Sequence, residues 1–313
     1  MKKILLTLLA LSLVLAMSVF FVACDENKED TETKTPETEN VENNQNEELH
    51  EEDEKEEEPV VPVVPDEIAI DEQVIFDNGT IVVTAKGLTE NILFGDALKL
   101  LIENNGTTDV NVSVDKLIVN GFMSSGYCYE DVAAGKKVNT ELYLLLDDLE
   151  DFGIKTLGLI ELVIGVNDIE TNETLESSEL VSIKTNAYDV MDTEITAEGV
   201  ELYNANGVKF VSLGIEEDEL LGTSIYIYAE NTSEANVLLD VENFSVNGFM
   251  VDPLLMTSVD AGRKAVDMIS IYSEDLETNG IEKIENVEFV LEISDDDTWD
   301  VIAVSDVISL SVE

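Results

Sequence analysis

An all-β fold is predicted, built twice in succession, and three observations carry the prediction. The pentapeptide Val-Asn-Gly-Phe-Met occurs at residues 119–123 and again at 246–250, 127 positions later. Stretches such as TSIYIYAE and VEFVLEIS alternate apolar and polar residues, and TIVVTA is rich in β-branched residues, which is the period-two signature of strands. Between these runs stand clusters of Asn, Gly and Asp, which punctuate strands with turns, and helical spacing is only faint.

The N-terminus reads as an export signal. Lys2 and Lys3 precede residues 4–22, a 19-residue stretch without a charge, and the small Ala23 stands before Cys24. Residues 1–23 resemble a bacterial lipoprotein signal peptide, and the resemblance implies Cys24 as the lipidation site and the mature N-terminus. The same 19 residues are long enough to span a bilayer uncleaved. Either way the two lysines hold the N-terminus inside and place the rest outside. Two acyl chains on Cys24 would anchor the chain stably to the membrane, where one would not.

Residues 24–66 are read as a disordered acidic linker. From Asp25 to Asp66 there are 18 acids, three lysines and no Phe, Tyr or Trp, a composition that cannot collapse onto a core. Fully extended, it reaches about 140 Å at roughly 3.3 Å per residue. The closing PVVPVVP is a stiff polyproline-like collar. The chain's one histidine, His50, lies in this stalk.

The folded part is divided into residues 67–187 and 188–313. From Glu103 against Glu230 onward the two align without a gap at the offset of 127, so ENNGTTDVNVSVDKLIVNGFM stands over ENTSEANVLLDVENFSVNGFM, and AGKK over AGRK. This is a duplication. Upstream, VTAKGL at residues 83–88 is matched to ITAEGV at 195–200, an offset of 112, which implies 15 additional residues and an inserted hairpin in the second copy. About seven short strands per copy are the number expected of an immunoglobulin-like sandwich. In each, Asn-Gly (Asn120-Gly121, Asn247-Gly248) occupies hairpin positions that need positive φ, and the Ala-Gly-basic stretch makes a second turn. DDLEDFGI and EDLETNGI are expected to form single helical turns that plug a sandwich end with Leu149 and Leu276. Cys128 stands where the second copy has Leu255, which marks it as a small buried hydrophobe.

The lipobox, the acidic linker and the repeated unit with ENN or ENT, VNGFM, and AGKK or AGRK resemble the tandem immunoglobulin-like β-sandwich domains of unknown function in lipoproteins of Gram-positive, clostridial-type bacteria. The resemblance covers residues 67–313. It implies a fold and a location, extracytoplasmic and anchored to the outer face of the bacterial cytoplasmic membrane. It supplies no catalytic residues.

Charge and composition narrow the function. With 69 acidic against 16 basic residues, the net charge of −53 repels phosphate backbones, which excludes nucleic acid as a partner. No histidine lies between Glu67 and Glu313, so Ser-His-Asp, Cys-His and His-metal arrangements are excluded there. No phosphate-binding glycine loop is present. No cofactor is expected. The SDDDTWD loop places Asp295, Asp296, Asp297 and Asp300 together as weak calcium candidates, without the spacing or central Gly of an EF-hand loop. Trp299 beside them either offers a stacking platform or covers a sandwich edge. The expectation is a membrane-anchored surface protein, not an enzyme, for non-catalytic binding or envelope interaction, with an unknown protein as the partner. A structural spacer, or an accessory subunit of an extracytoplasmic transporter or wall-enzyme complex, is the alternative, and calcium binding a minor one. An exposed apolar patch on one sandwich would favour a protein partner; uniformly charged faces would favour the spacer.

Overall fold

The computed structural model describes residues 63–91, 95–218 and 222–312. The signal segment with Cys24 and most of the acidic linker lie outside the described residues.

The chain is all-β, in two sandwiches with one strand plan. The first contains β1 (Gln73–Asp77), β2 (Ile81–Asn91), β3 (Gly95–Asn104), β4 (Val110–Val119), β5 (Phe122–Tyr127), β6 (Tyr129–Val132), β7 (Lys136–Leu145), the short helix α1 (Asp147–Asp151), β8 (Leu159–Asp168), β9 (Thr174–Ser177) and β10 (Val181–Lys184). One wall is β1-β2-β3-β7 and the other sets β4 between β5 and β6 on one side and β8 on the other, with β9 and β10 outside β8. The connection from β3 to β4 and that from β7 through α1 to β8 both change walls, which is the Greek-key plan of an immunoglobulin domain with β2, β3, β7 facing β4, β8, β10. β5 changes walls within one strand: Phe122 pairs with Val119 of β4, and Tyr127 with Tyr143 of β7.

The second sandwich repeats this with β11 (Val200–Ala205), β12 (Val208–Asp218), β13 (Gly222–Asn231), β14 (Val237–Val246), β15 (Phe249–Met250), β16 (Thr257–Val259), β17 (Lys264–Tyr272), α2 (Ser273–Thr278), β18 (Asn286–Asp295), β19 (Val301–Val304) and β20 (Ile308–Ser311). Burial alternates along β13 and β18, so every second side chain enters the core. Phe244 and Phe289 stack there with ring centroids 5.7 Å apart. Leu149 of α1 is buried and Leu276 of α2 packs against the second core, as plugs at equivalent ends. Cys128 and Leu255 are both buried, and burial together with nearby Glu130 pushes the Cys128 thiol up to about 11.

The inserted hairpin expected in the second copy is not there. β11 and β12 begin 127 residues after β1 and β2, so the offset holds through the upstream strands too. Their irregularities coincide: the pairing slips between Ala85 and Gly87 in the first copy and between Ser212 and Gly214 in the second, at glycines with φ of 153° and 148°. These bulges re-aim the strand and belong to the shared design. ITAEGV resembled VTAKGL because both lead a β-branched run into a glycine; its residues are the connection between the sandwiches and the first residue of β11.

Four asparagines explain why the repeated motifs are repeated. In VNGFM, Asn120 and Asn247 have φ of 51° and 50°, followed by Gly121 and Gly248 at 87° and 83°, the conformation a two-residue hairpin turn requires. The Asn120 amide donates to the carbonyls of Thr156 (2.8 Å) and Asp192 (3.0 Å) and accepts from the N–H groups of Gly158 and Leu159. Asn247 donates to the Lys283 carbonyl and accepts from the N–H groups of Glu285 and Asn286, positions 127 later. At the other end, Asn104 donates to the carbonyls of Thr108 and Val132, and Asn231 to those of Ala235 and Val259. Each amide staples two loops, and at the buried Asn104, Asn120 and Asn231 it partners backbone groups that water reaches poorly.

The sandwiches are joined at the first VNGFM turn. β5 pairs in parallel with β17, Phe122 opposite Lys264 and Met123 opposite Ala265, so a strand of one wall continues into the second sandwich. Around this pair Lys116 meets Asp260 at 2.6 Å, and Arg263 places its terminal nitrogens 2.8 and 3.0 Å from the two oxygens of the buried Glu161. Lys264 reaches Glu194 (2.6 Å) and the Thr193 carbonyl (2.8 Å) in the connecting segment, and lies over the Phe122 ring. Phe152 packs on Tyr226, 5.3 Å between centroids, and Val211 and Tyr228 of the second sandwich join the first core.

Replacing the buried Asn120 with alanine is expected to lower unfolding stability by about 2–3 kcal/mol, because it orphans the buried Gly158 N–H and three half-buried backbone groups. Asn247→Ala at the half-exposed counterpart should cost about 1 kcal/mol, since water reaches the freed groups. Equilibrium urea unfolding of the two variants measures the difference.

Candidate functional site

The SDDDTWD loop closes on itself. Asp295 Oδ1 accepts hydrogen bonds from the N–H groups of Asp297 (3.1 Å) and Thr298 (2.8 Å) and from the Thr298 hydroxyl (3.0 Å). These bonds, the Thr298 N–H first, hold its carboxyl below the usual carboxylate range. The first copy has the same device: Asp168 accepts from Glu170, Thr171 and the Thr171 hydroxyl, and its carboxyl is likewise lowered. Asp296 accepts from the Ser258 hydroxyl, and the Asp300 N–H is spent on Thr298. Among the described residues no three acidic, His or Cys side chains converge as a metal-ligand set, so Asp295, Asp296, Asp297 and Asp300 share a loop without sharing a focus.

What the loop does present is Trp299. It stands at φ 64°, the left-handed region that bulky residues rarely occupy, where the first copy has Asn172 at φ 58°. A strained aromatic that is 65% exposed covers no edge. Its neighbours along the chain are apolar and exposed as well: Val301, Ile302 and Val304 on β19, and Val307 beyond it. The positions 127 earlier are Thr174, Leu175, Ser177 and Leu180. β19 pairs with β18 through Glu292–Ser294, and no described strand lies on its other side. The second sandwich therefore carries an apolar edge strand with free backbone groups where the first carries a polar one. Natural sheets ordinarily protect such an edge with charge or proline, because it is a template for another strand. The strip was readable in the sequence as a swap of Asn, Thr and Ser for Trp and Val between aligned copies.

A second apolar exposure follows from the joint. Phe122 is buried beneath the second sandwich, whereas its counterpart Phe249, with Met250, Leu254 and Met256, is open to solvent. A groove of about 440 Å³ runs along the joint past Ser124, Asp148, Met256 and Asp267. Burial and the neighbouring Asp267, Asp147 and Asp151 raise the Asp148 carboxyl. Asp267 is already committed, accepting from the Thr257 hydroxyl at 2.5 Å and the Met268 N–H at 2.8 Å. In the first copy the roles are exchanged, with Thr140 donating to Glu130, so this carboxylate belongs to the scaffold.

No protein-family model and no curated protein sequence matches this chain. Among solved structures, one similar to it is a protein of unknown function from Porphyromonas gingivalis W83, at 13% identity over 66% of this chain and 87% of that one, with a TM-score of 0.19. A likeness that slight carries no functional argument.

Because Asp295 Oδ1 is tied into its own turn and the loop's carboxylates share no focus, calcium and magnesium are expected to raise the melting temperature similarly, by screening a folded region with 51 acids and 11 basic residues. Asp296→Asn combined with Asp297→Asn should leave that rise in place. A dedicated site would instead add about 2.7 kcal/mol at a hundredfold excess of calcium over its dissociation constant, and the double variant would remove it. Thermal melts against each ion distinguish the two.

Proposed function

We propose that this protein is a lipid-anchored surface protein that binds another protein through its second sandwich, without catalysis. One observation carries the reading: an exposed apolar edge strand, β19, flanked by Trp299, on a chain of strongly acidic composition. Water solvates scattered apolar residues at little cost, but a contiguous apolar strip beside free backbone donors and acceptors favours an added strand. The net charge of −53 selects a basic partner and repels acidic ones, a second copy of this chain among them. The first sandwich then serves as support, and the acidic linker holds both away from the membrane to which Cys24 is attached.

Two measurements address the two halves of this proposal. A fatty-acid analogue fed to the producing cells should label the protein, and Cys24→Ala should abolish the label; labelling of the variant at parental strength would remove the anchor. A photo-crosslinker placed at Val307 should capture one defined protein on cells. That product should disappear with Ile302→Lys plus Val304→Lys, both at exposed positions that leave the core untouched, and persist with Leu175→Lys on β9. Capture that ignores the β19 substitutions would contradict binding at this edge.

A further inference from the structure

The first sandwich is laced along one side by its own chain, and the second is not. Residues 67–70 lie against the end of β10: the Ala69 N–H donates to Asn186 Oδ1 (3.0 Å), the Asn186 N–H donates to the Ala69 carbonyl (2.9 Å), and Asn186 Nδ2 donates to the Glu67 carbonyl (2.9 Å). Ile70 bridges to Thr185, and Ile68 and Ile70 pack against the first core. The chain then crosses to β2, where Glu72 meets Lys86 at 2.5 Å and Gln73 pairs with Ala85. This strap closes the gap between the two walls.

By the same offset, the strap of the second sandwich is Ile195, Thr196 and Ala197. Those residues are drawn into the joint. The Thr196 N–H donates to the Phe152 carbonyl at 2.9 Å, and Ile195 packs against the first core. Between β12 and β20 the seam is consequently open, as a shallow surface groove of about 480 Å³ bordered by Gly199, Val200, Ser212, Gly214, Leu310 and Val312. Its polar fastening is missing as well: Gly199 stands for Glu72 and Leu213 for Lys86.

We propose that this seam is a binding site for an extended peptide segment of a partner protein, with two branched apolar side chains two residues apart and basic flanking residues. The occupant of the equivalent seam in the first sandwich supplies the side-chain pattern, since Ile68 and Ile70 pack side by side against the first core, while Asn186, which bonds the backbone between them, has no counterpart among the described residues of the second sandwich. The charge of the chain supplies the flanks. The site is separate from the β19 strip. Both strands lie on one edge of β18, but β19 pairs with Glu292–Ser294 and β20 with Asn286–Phe289.

The test uses the full chain and two synthetic peptides, acetyl-Lys-Ile-Ala-Ile-Lys-amide and the same peptide with serine for both isoleucines, followed by calorimetry. Saturable binding of the first is expected, with the serine peptide about tenfold weaker or more. Val312→Lys should weaken the isoleucine peptide to the same degree, and Ile302→Lys on the strip should leave it unchanged. Val200→Lys, at an exposed position that lines the seam, is the second variant if Val312→Lys fails to fold. Equal binding of the two peptides, or binding that survives the seam variants, would overturn the proposal. So would loss on Ile302→Lys, which would place the peptide on β19.

Discussion

The asparagine side chain at each end of each sandwich, buried at three of the four ends, is the constraint on which the rest of this molecule depends. Two packed walls bury the loops that connect them, and every buried N–H and C=O must find a partner. An amide offers two donors and two acceptor positions on one short side chain, enough to hold two loops at once. Asn120 ties the VNGFM hairpin to the loop after α1, and Asn104 ties the end of β3 to the β6 turn. With its ends pinned, the sandwich tolerates extensive change in its outer residues, and the duplicated chain has used that freedom.

The two copies spend the same features differently. The first VNGFM turn, with its phenylalanine buried, is the floor of the joint, and the second is left open. Lys116, Arg263 and Lys264, three of the 11 basic residues after Glu67, converge at that joint, where two acidic bodies must be held together. Arg263 is the sole arginine in the sequence, and it faces a buried carboxylate whose planar geometry its fork matches. The joint's contact residues Val211, Tyr226 and Val266 correspond to Thr84, Lys99 and Asn139 on the first sandwich, so the apolar contact face of the second copy has a more polar counterpart on the first. Drawing the connecting segment into the joint is also what leaves the second sandwich without a strap.

Much of this was legible in the sequence, and the reasons it was or was not are physical. Strand periodicity, the Asn-Gly turns and the gapless offset report short-range geometry, so two sandwiches of equal plan could be read directly. The supposed hairpin insertion failed because a six-residue string with one glycine is too short to distinguish a strand from a linker; strand pairing and bulge position decide it. The acidic loop looked like a ligand set because sequence shows how many carboxylates are near one another, not where they point, and Asp295 points into its own turn. The strip on β19 was accessible to a comparison of the copies. The open seam was not, since it arises from the path of residues 195–197, which only tertiary contacts reveal.

The central claim is that two sandwiches of one design differ in that a strap covers the seam beside β10 in the first, whereas the counterpart seam beside β20 in the second is uncovered. Amide hydrogen exchange measures this directly, because local opening depends on what covers a strand. Exchange at β20 is predicted to be much faster than at its counterpart β10, whose end is held by Asn186 and the strap, although both pair with equivalent central strands. Equal protection of β10 and β20 would contradict the account.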